Sequence, residues 1–326
     1  MIIVRSPFRI PLAGGGTDLD FYYKKRGGDL ISATFNQYIY HLISFRTLDK
    51  KILIQTTDTQ FANNLNDVKN KLIKGVLFHF KIKKSIQVAS ISTLPTRTGL
   101  GSSSTFIVGL VKALAQLKKI NLSKKQLASI SYYIERKKLK LDGGCQDQIM
   151  ASYGGIQRIK INKKGNFNCK SLKILKSKLE NLEKSFFLVF TNEARDSKNI
   201  ITQQRENIKN SIIRYDKIKS KVKILENALI EGNKKKIGLL FHEHWIEKKK
   251  LSSNISSKKF DKMYQEMMDS RIFYGGKIIG AGAGGFFLMV AKSTKNAQVF
   301  LKKKKLKFLK IKFDFSGAKI IKDIIL

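Results

Sequence analysis

The sequence predicts an α+β protein of two domains. Three observations predict it. The 326 residues exceed what one hydrophobic core usually serves. Short β-branched and aromatic runs are interspersed with segments that are apolar every third or fourth residue. A lysine-rich stretch at 172–181, between two strand patterns, marks a boundary and gives domains of residues 1–175 and 176–326.

In the first half, residues 1–56 read as strands joined by loops. Residues 2–4, 30–35 and 38–45 are rich in β-branched and aromatic side chains, and Gly27-Gly28 marks a turn. Val68, Leu72, Val76 and Phe80 carry helical spacing through 67–80. A strand at 86–91 leads into a Gly/Ser loop at 99–104. Phe106, Leu110, Ala113, Leu114 and Leu117 then define a buried helix over 106–117. A second helix covers 123–138, with Ser123 as its N-cap. A loop with a short helix fills 142–155, and a strand covers 155–161. The second half opens with an apolar strand at 186–190. Helical patterns follow at 197–231, 234–251 and 261–271. A Gly-rich stretch at 280–285, a strand at 286–290 and a helix at 299–304 complete the chain.

Composition narrows the function. No window reaches 18 apolar residues, which argues against a transmembrane helix. The first residues alternate and carry Arg5 and Arg9, so they read as a strand and not as a signal peptide. Only two cysteines, Cys145 and Cys169, point to a reducing compartment, and the cytoplasm is the expected location. Cys145 reads as a small buried residue. The net charge of +40 raises nucleic-acid binding as a possibility. Against it, only 11 of the 64 basic residues are Arg, the lysines are spread over almost every segment, and no nucleic-acid-binding motif accompanies them. The charge should instead attract anionic substrates. Neither nucleic acid nor membrane is expected as a partner.

The most informative stretch is Pro95-Thr96-Arg97-Thr98-Gly99-Leu100-Gly101-Ser102-Ser103-Ser104, set between a strand and a buried helix. Glycines let the backbone approach an anion and turn N–H groups towards it, and a helix N-terminus adds free N–H groups. The serines offer hydroxyls to phosphate oxygens or to Mg²⁺. No Gly-Lys-Ser/Thr closes the loop, so it is not a Walker A sequence. A plain Gly/Ser turn capping a helix is the alternative.

This stretch resembles the ATP-binding motif of the GHMP kinases. Two more stretches match that family in order across nearly the whole chain. Arg5-Ser6-Pro7-Phe8-Arg9-Ile10-Pro11-Leu12-Ala13-Gly14-Gly15-Gly16-Thr17-Asp18-Leu19 is similar to its N-terminal substrate motif. Gly275-Gly276-Lys277-Ile278-Ile279-Gly280-Ala281-Gly282-Ala283-Gly284-Gly285-Phe286 is similar to its C-terminal Gly-rich motif, with Ala283 as a departure there and Cys145 as a departure in the separate 143–148 segment. Within the family, Gly14–Leu19, Gly143-Gly144-Cys145-Gln146-Asp147-Gln148 and His242-Glu243-His244-Trp245 with Lys248, Lys249 and Leu251-Ser252 look like kinases of D-glycero-D-manno-heptose 7-phosphate. Fucokinase-like sugar kinases share part of the pattern.

The resemblance implies an N-terminal domain like ribosomal protein S5 domain 2, a ferredoxin-like C-terminal domain, ATP and Mg²⁺ as cofactors, and a sugar-phosphate substrate. The implied reaction yields a heptose 1,7-bisphosphate for nucleotide-activated heptose and surface glycans such as lipopolysaccharide. A monomer or a homodimer is expected. Asp147 is the candidate base, with an N-cap for a helix starting at Gln148 as the alternative. Glu135 and Ser103 are the candidate Mg²⁺ ligands, and the alternative for Glu135 is an exposed pair with Lys138. Arg9 is a candidate at the transferred phosphoryl and the sugar, or an exposed strand residue. Asp18 is a candidate sugar ligand, or a turn residue. Pro95, Gly99, Leu100, Gly101, Ser102, Ser103 and Ser104 are assigned to the nucleotide. Gly15, Gly16, Thr17, Gly282 and Gly284 join Arg9 and Asp18 at the substrate. Arg97, Arg195 and Lys277 are candidates for a substrate phosphate by motif proximity alone. His242 and His244 lack further ligands at zinc spacing and read as helix packing. Three readings compete with the heptose kinase: a fucokinase- or galactokinase-like enzyme, a non-catalytic relative, and a basic nucleic-acid-binding protein.

Overall fold

The computed structural model describes residues 1–96, 98–193 and 198–323. Strands β1 (Ile2–Ala13), β2 (Gly28–Phe45), β3 (Ile52–Gln55), β4 (Thr59–Ala62), β5 (Ile86–Ser92), β6 (Ile156–Ile161) and β7 (Phe167–Ser171) build a first sheet. Strands β8 (Phe186–Phe190), β9 (Phe273–Ile278), β10 (Phe286–Ala291) and β11 (Phe308–Lys310) build a second, in the order β11-β8-β10-β9. The last strand, β12 (Lys319–Asp323), returns to the first sheet and pairs antiparallel with β1. The helices are α1 (Asp20–Arg26), α2 (Lys71–His79), α3 (Ser102–Leu117), α4 (Lys124–Tyr132), α5 (Gln146–Tyr153), α6 (Lys176–Ser185), α7 (Lys198–Glu206), α8 (Ile208–Glu231), α9 (Lys234–Lys249), α10 (Lys258–Asp269) and α11 (Thr294–Lys303). Two sheets flanked by helices make a mixed α+β molecule, as the sequence predicts.

Helix α3 lies on the first sheet because its apolar stripe, including Ile107, Leu110, Val111 and Leu114, shares a core with Val4 and Ile43. The strand period explains the second sheet. In β8, Phe186 and Leu188 face one side and Phe187 and Val189 the other. Phe186 and Leu188 share a core with Phe8, Ile10 and Leu12 of β1 and with Leu225, Ile237 and Phe241 of α8 and α9. The core is therefore continuous between the two sheets, and α8 and α9 bring the second half against β1.

Several sequence expectations are corrected. The strands expected at 30–35 and 38–45 form one strand, β2, whose first half pairs with β6 and whose second half pairs with β5. The helix expected from Phe106 begins at Ser102, so the serines sit in its first turn and not in a loop. The helix expected over 123–138 is α-helical only to Tyr132. It continues as a π-helical turn, Tyr133–Lys138, that contains Glu135. Ser123 does cap it, in a reciprocal pairing with Gln126.

Candidate active site

The two halves enclose a cleft of about 1190 Å³. Its floor is the N-terminus of α3. Gly101 precedes the helix in the left-handed region at φ +79°, and no side chain caps the helix. The first turn of an α-helix leaves N–H groups without internal partners, so Ser102–Ser104 present free donors to the cleft. The Ser102 hydroxyl is buried and has no partner among the described residues, as a group awaiting an acceptor would be.

Strand β1 delivers Arg9, which is 6% exposed and not the surface residue of the alternative reading. Its Nε donates to Asp147 Oδ1 at 2.6 Å, and its Nη2 donates to Asp147 Oδ2 at 2.7 Å. Its Nη1 donates to the Gly99 carbonyl at 2.6 Å, which ties the pair to the loop before α3. Asp147 lies in the first turn of α5, behind Cys145 at the N-cap, so the N-cap alternative is not used. Burial pushes the Asp147 carboxyl up. The Arg9 charge and its hydrogen bonds, with Arg136 beyond, outweigh that and hold it below its ordinary value.

Asp18 follows the glycine turn after β1 and is buried. Its Oδ2 accepts from the Gln146 backbone N–H at 3.1 Å, at the start of α5. Burial and the neighbouring Asp147 charge raise its pKa. The two carboxylates are thus pushed in opposite directions, a pattern that separates roles in active sites.

Glu135 is 1% exposed, so the exposed pairing with Lys138 does not occur. Its Oε1 accepts from Ser103 Oγ at 2.7 Å, and its Oε2 accepts from Ser104 Oγ at 2.7 Å and Gln148 Nε2 at 2.6 Å. Arg136 pairs with it at 3.3 Å. The π-helical turn, a feature common at functional sites, lies where Glu135 meets α3.

The other sequence candidates divide. Pro95, Gly99, Gly15, Gly16, Gly282 and Gly284 line the cleft. Leu100 and Thr17 do not: Leu100 is fully buried in the core, and Thr17 donates to the Gly14 carbonyl at 2.7 Å and holds the turn from behind. The second half reaches the loop directly, since a Cβ on Gly280 would lie 2.6 Å from the Gly99 carbonyl oxygen. Arg97 and Arg195 fall outside the described residues.

Three groups on that second wall matter more than the sequence suggests. Lys248 and His244 sit one turn apart on α9, and Lys277 sits on β9; all three are buried and line the cleft. Lys248 Nζ donates to the Gly280 carbonyl, and Lys277 Nζ donates to the Leu12 carbonyl at 2.7 Å. Burial, then the Arg9 charge, lowers Lys248 to about 7. Burial also lowers Lys277 and His244 well below their ordinary values. The signal was present in the sequence: Ile237, Phe241, His244 and Lys248 are spaced by three or four, so two basic residues continue an apolar stripe. His242, by contrast, stacks on Tyr264 and hydrogen-bonds its hydroxyl at 2.8 Å.

One substitution tests the fit of the loop to Asp147. A Cβ on Gly101 would lie 2.8 Å from Asp147 Oδ2, in a backbone region that L residues adopt at a cost of about 1–2 kcal/mol. Gly101→Ala is expected to lower the melting temperature and to cut turnover at least tenfold by displacing the carboxylate from Arg9. Thermal unfolding and an activity assay measure the two effects, and unchanged turnover would show that Asp147 tolerates the shift.

Residues 66–155 match the model of the GHMP kinases N terminal domain. The chain is 30% identical over 311 residues to the D-glycero-alpha-D-manno-heptose 7-phosphate kinase of Campylobacter jejuni, covering 90% of each chain. A crystal structure of a D-glycero-D-manno-heptose 1-phosphate kinase from Bacteroides thetaiotaomicron superposes with a TM-score of 0.83 at 26% identity, over 100% of both chains. Lactococcus lactis galactokinase with galactose shares the fold, at a TM-score of 0.77 and 18% identity over 98% of this chain and 94% of that one.

Proposed function

The chain belongs to the GHMP kinases, and from that premise we propose that it transfers the γ-phosphoryl group of ATP to the anomeric hydroxyl of D-glycero-α-D-manno-heptose 7-phosphate. The observation that carries the chemistry is the meeting of the Arg9–Asp147 pair, Asp18 and the serine-bearing start of α3 in one cleft. The choice of sugar rests on the likeness to the Campylobacter jejuni heptose 7-phosphate kinase.

In this reading the backbone N–H groups of Ser102–Ser104 and the Ser102 hydroxyl hold the nucleotide phosphates. Asp18, fixed by the Gln146 N–H, accepts hydrogen bonds from sugar hydroxyls. Arg9 orients Asp147, which receives the proton as the anomeric oxygen bonds to phosphorus and the bridge to ADP breaks. A carboxylate held this firmly ionised is a weak base, so alignment of the hydroxyl is the larger part of its contribution.

Ser103 and Glu135, a hydroxyl and a carboxylate that meet at the start of α3, are the residues that would hold Mg²⁺. Bound there, the ion would neutralise charge on the transferring phosphates. Among the described residues no helix is long and apolar enough to cross a membrane. The reading takes the protein as a cytoplasmic monomer or homodimer with no nucleic-acid partner, serving surface-glycan precursors.

The test is ADP release with ATP and Mg²⁺ against heptose 7-phosphate, galactose, fucose and mevalonate. The expected result is turnover of heptose 7-phosphate far above the others. Preference for another acceptor would replace the sugar, and silence with ATP bound would favour a non-catalytic relative.

A further inference from the structure

Lys248 and Lys277 are 8% and 1% exposed, yet neither ammonium pairs with a carboxylate among the described residues. An ammonium has three donors. Each of these spends one on a backbone carbonyl, and Lys277 also lies 5.0 Å from the centre of the Phe241 ring. An ammonium buried without a counter-ion is costly to keep charged, so burial lowers both groups, and a bound anion would supply the missing partner. The nearby carboxylates are committed elsewhere: Asp147 to Arg9, and Asp18 to the Gln146 N–H.

The position of the three groups says which anion. Nucleotide phosphates have the start of α3. Lys277 and His244 adjoin the Leu12–Gly15 turn that leads to Asp18, on the acceptor side, and Lys248, one turn from His244 on α9, lies beside Arg9 and Gly280. A Cβ on Gly15 would touch the His244 ring at 3.9 Å, and Lys277 holds the carbonyl of Leu12, two residues before Gly14. We infer that Lys248, Lys277 and His244 form a subsite for the phosphate that the acceptor already carries, so that this wall selects a sugar phosphate over the free sugar. The inference rests on the reading of the acceptor as a sugar phosphate. A dianion there would engage the remaining ammonium donors of Lys248 and Lys277 and favour protonation of His244.

The test uses inorganic phosphate as probe, titrated calorimetrically into protein saturated with a non-hydrolysable ATP analogue, which occupies the other phosphate site. Binding is expected in the unchanged protein and at least tenfold weaker in Lys248→Met and in Lys277→Met. The Met variants keep side-chain length and remove a buried amine without a counter-ion, at the loss of one hydrogen bond to a backbone carbonyl, so the melting temperature without ligand is expected to change little. Phosphate is expected to stabilise the unchanged protein against heat and not the variants. With acceptors, the kcat/KM preference for heptose 7-phosphate over unphosphorylated heptose is expected to fall at least tenfold in each variant. Equal losses for both acceptors, or undiminished phosphate binding in the variants, would overturn the subsite. Phosphate binding that the variants abolish, in a protein that does not turn over heptose 7-phosphate, would keep the subsite and reject the heptose.

Discussion

Asp147→Asn is expected to reduce turnover at least 100-fold while leaving ATP affinity within a factor of a few. The magnitude joins the loss of hydroxyl alignment to that of a proton acceptor, whose usual contribution is about 10²–10⁴-fold. The geometry makes this substitution informative. Asparagine keeps the shape, and its oxygen can still accept one bond from Arg9, but its amide group opposes the other guanidinium N–H, which now finds a donor at 2.6–2.7 Å. The charge that offsets Arg9 is also lost, so Arg9 becomes a third buried cation beside Lys248. Acceptor alignment and proton removal fail together, whereas the serines of α3 are untouched. Single-turnover ADP release and nucleotide titration separate the two. Near-normal turnover would remove Asp147 from the proton path and leave the pair a structural tie between β1 and α5.

Much of this site is legible in the sequence because it is local. Glycine and serine next to a helix start act through backbone geometry within a few residues, whereas Arg9 and Asp147 are legible by motif alone and meet across 138 positions of the chain. What is not legible depends on distant partners. The length of β2 is invisible because Asn36 and Gln37 look like a turn. The strand is continuous because β1 runs beside both halves while β6 and β5 share its other edge. The pairing of β12 with β1 joins the two ends of the chain, and no local pattern encodes it. Leu100 and Thr17 sit inside functional motifs but face the core, a distinction that motif membership does not carry. Lys277 was visible only by proximity and Lys248 only as part of a pattern, because among so many surface lysines a buried one is distinguished by its neighbours alone.

The largest expected effect on cofactor dependence belongs to Glu135→Gln. Glutamine can keep contacts with Ser103 and Ser104 but carries no charge, and Mg²⁺ among few ligands depends on its carboxylates. Loss of even supporting partners of a metal typically costs 10–100-fold in affinity, so the Mg²⁺ concentration for half-maximal turnover is expected to rise at least tenfold. Glu135 is also a structural hub. It is fully buried, receives Ser103, Ser104 and Gln148, and compensates Arg136. Removing one member of a buried ion pair is destabilising, by about 3–5 kcal/mol where the remaining charge stays buried and unpaired. A fall in melting temperature is therefore expected from either role and does not distinguish them; the Mg²⁺ titration does. A lower melting temperature with an unchanged Mg²⁺ requirement would confine Glu135 to holding the π-helical turn against α3. A raised requirement that excess Mg²⁺ overcomes would place the ion at Glu135, with Ser103 as its neighbour.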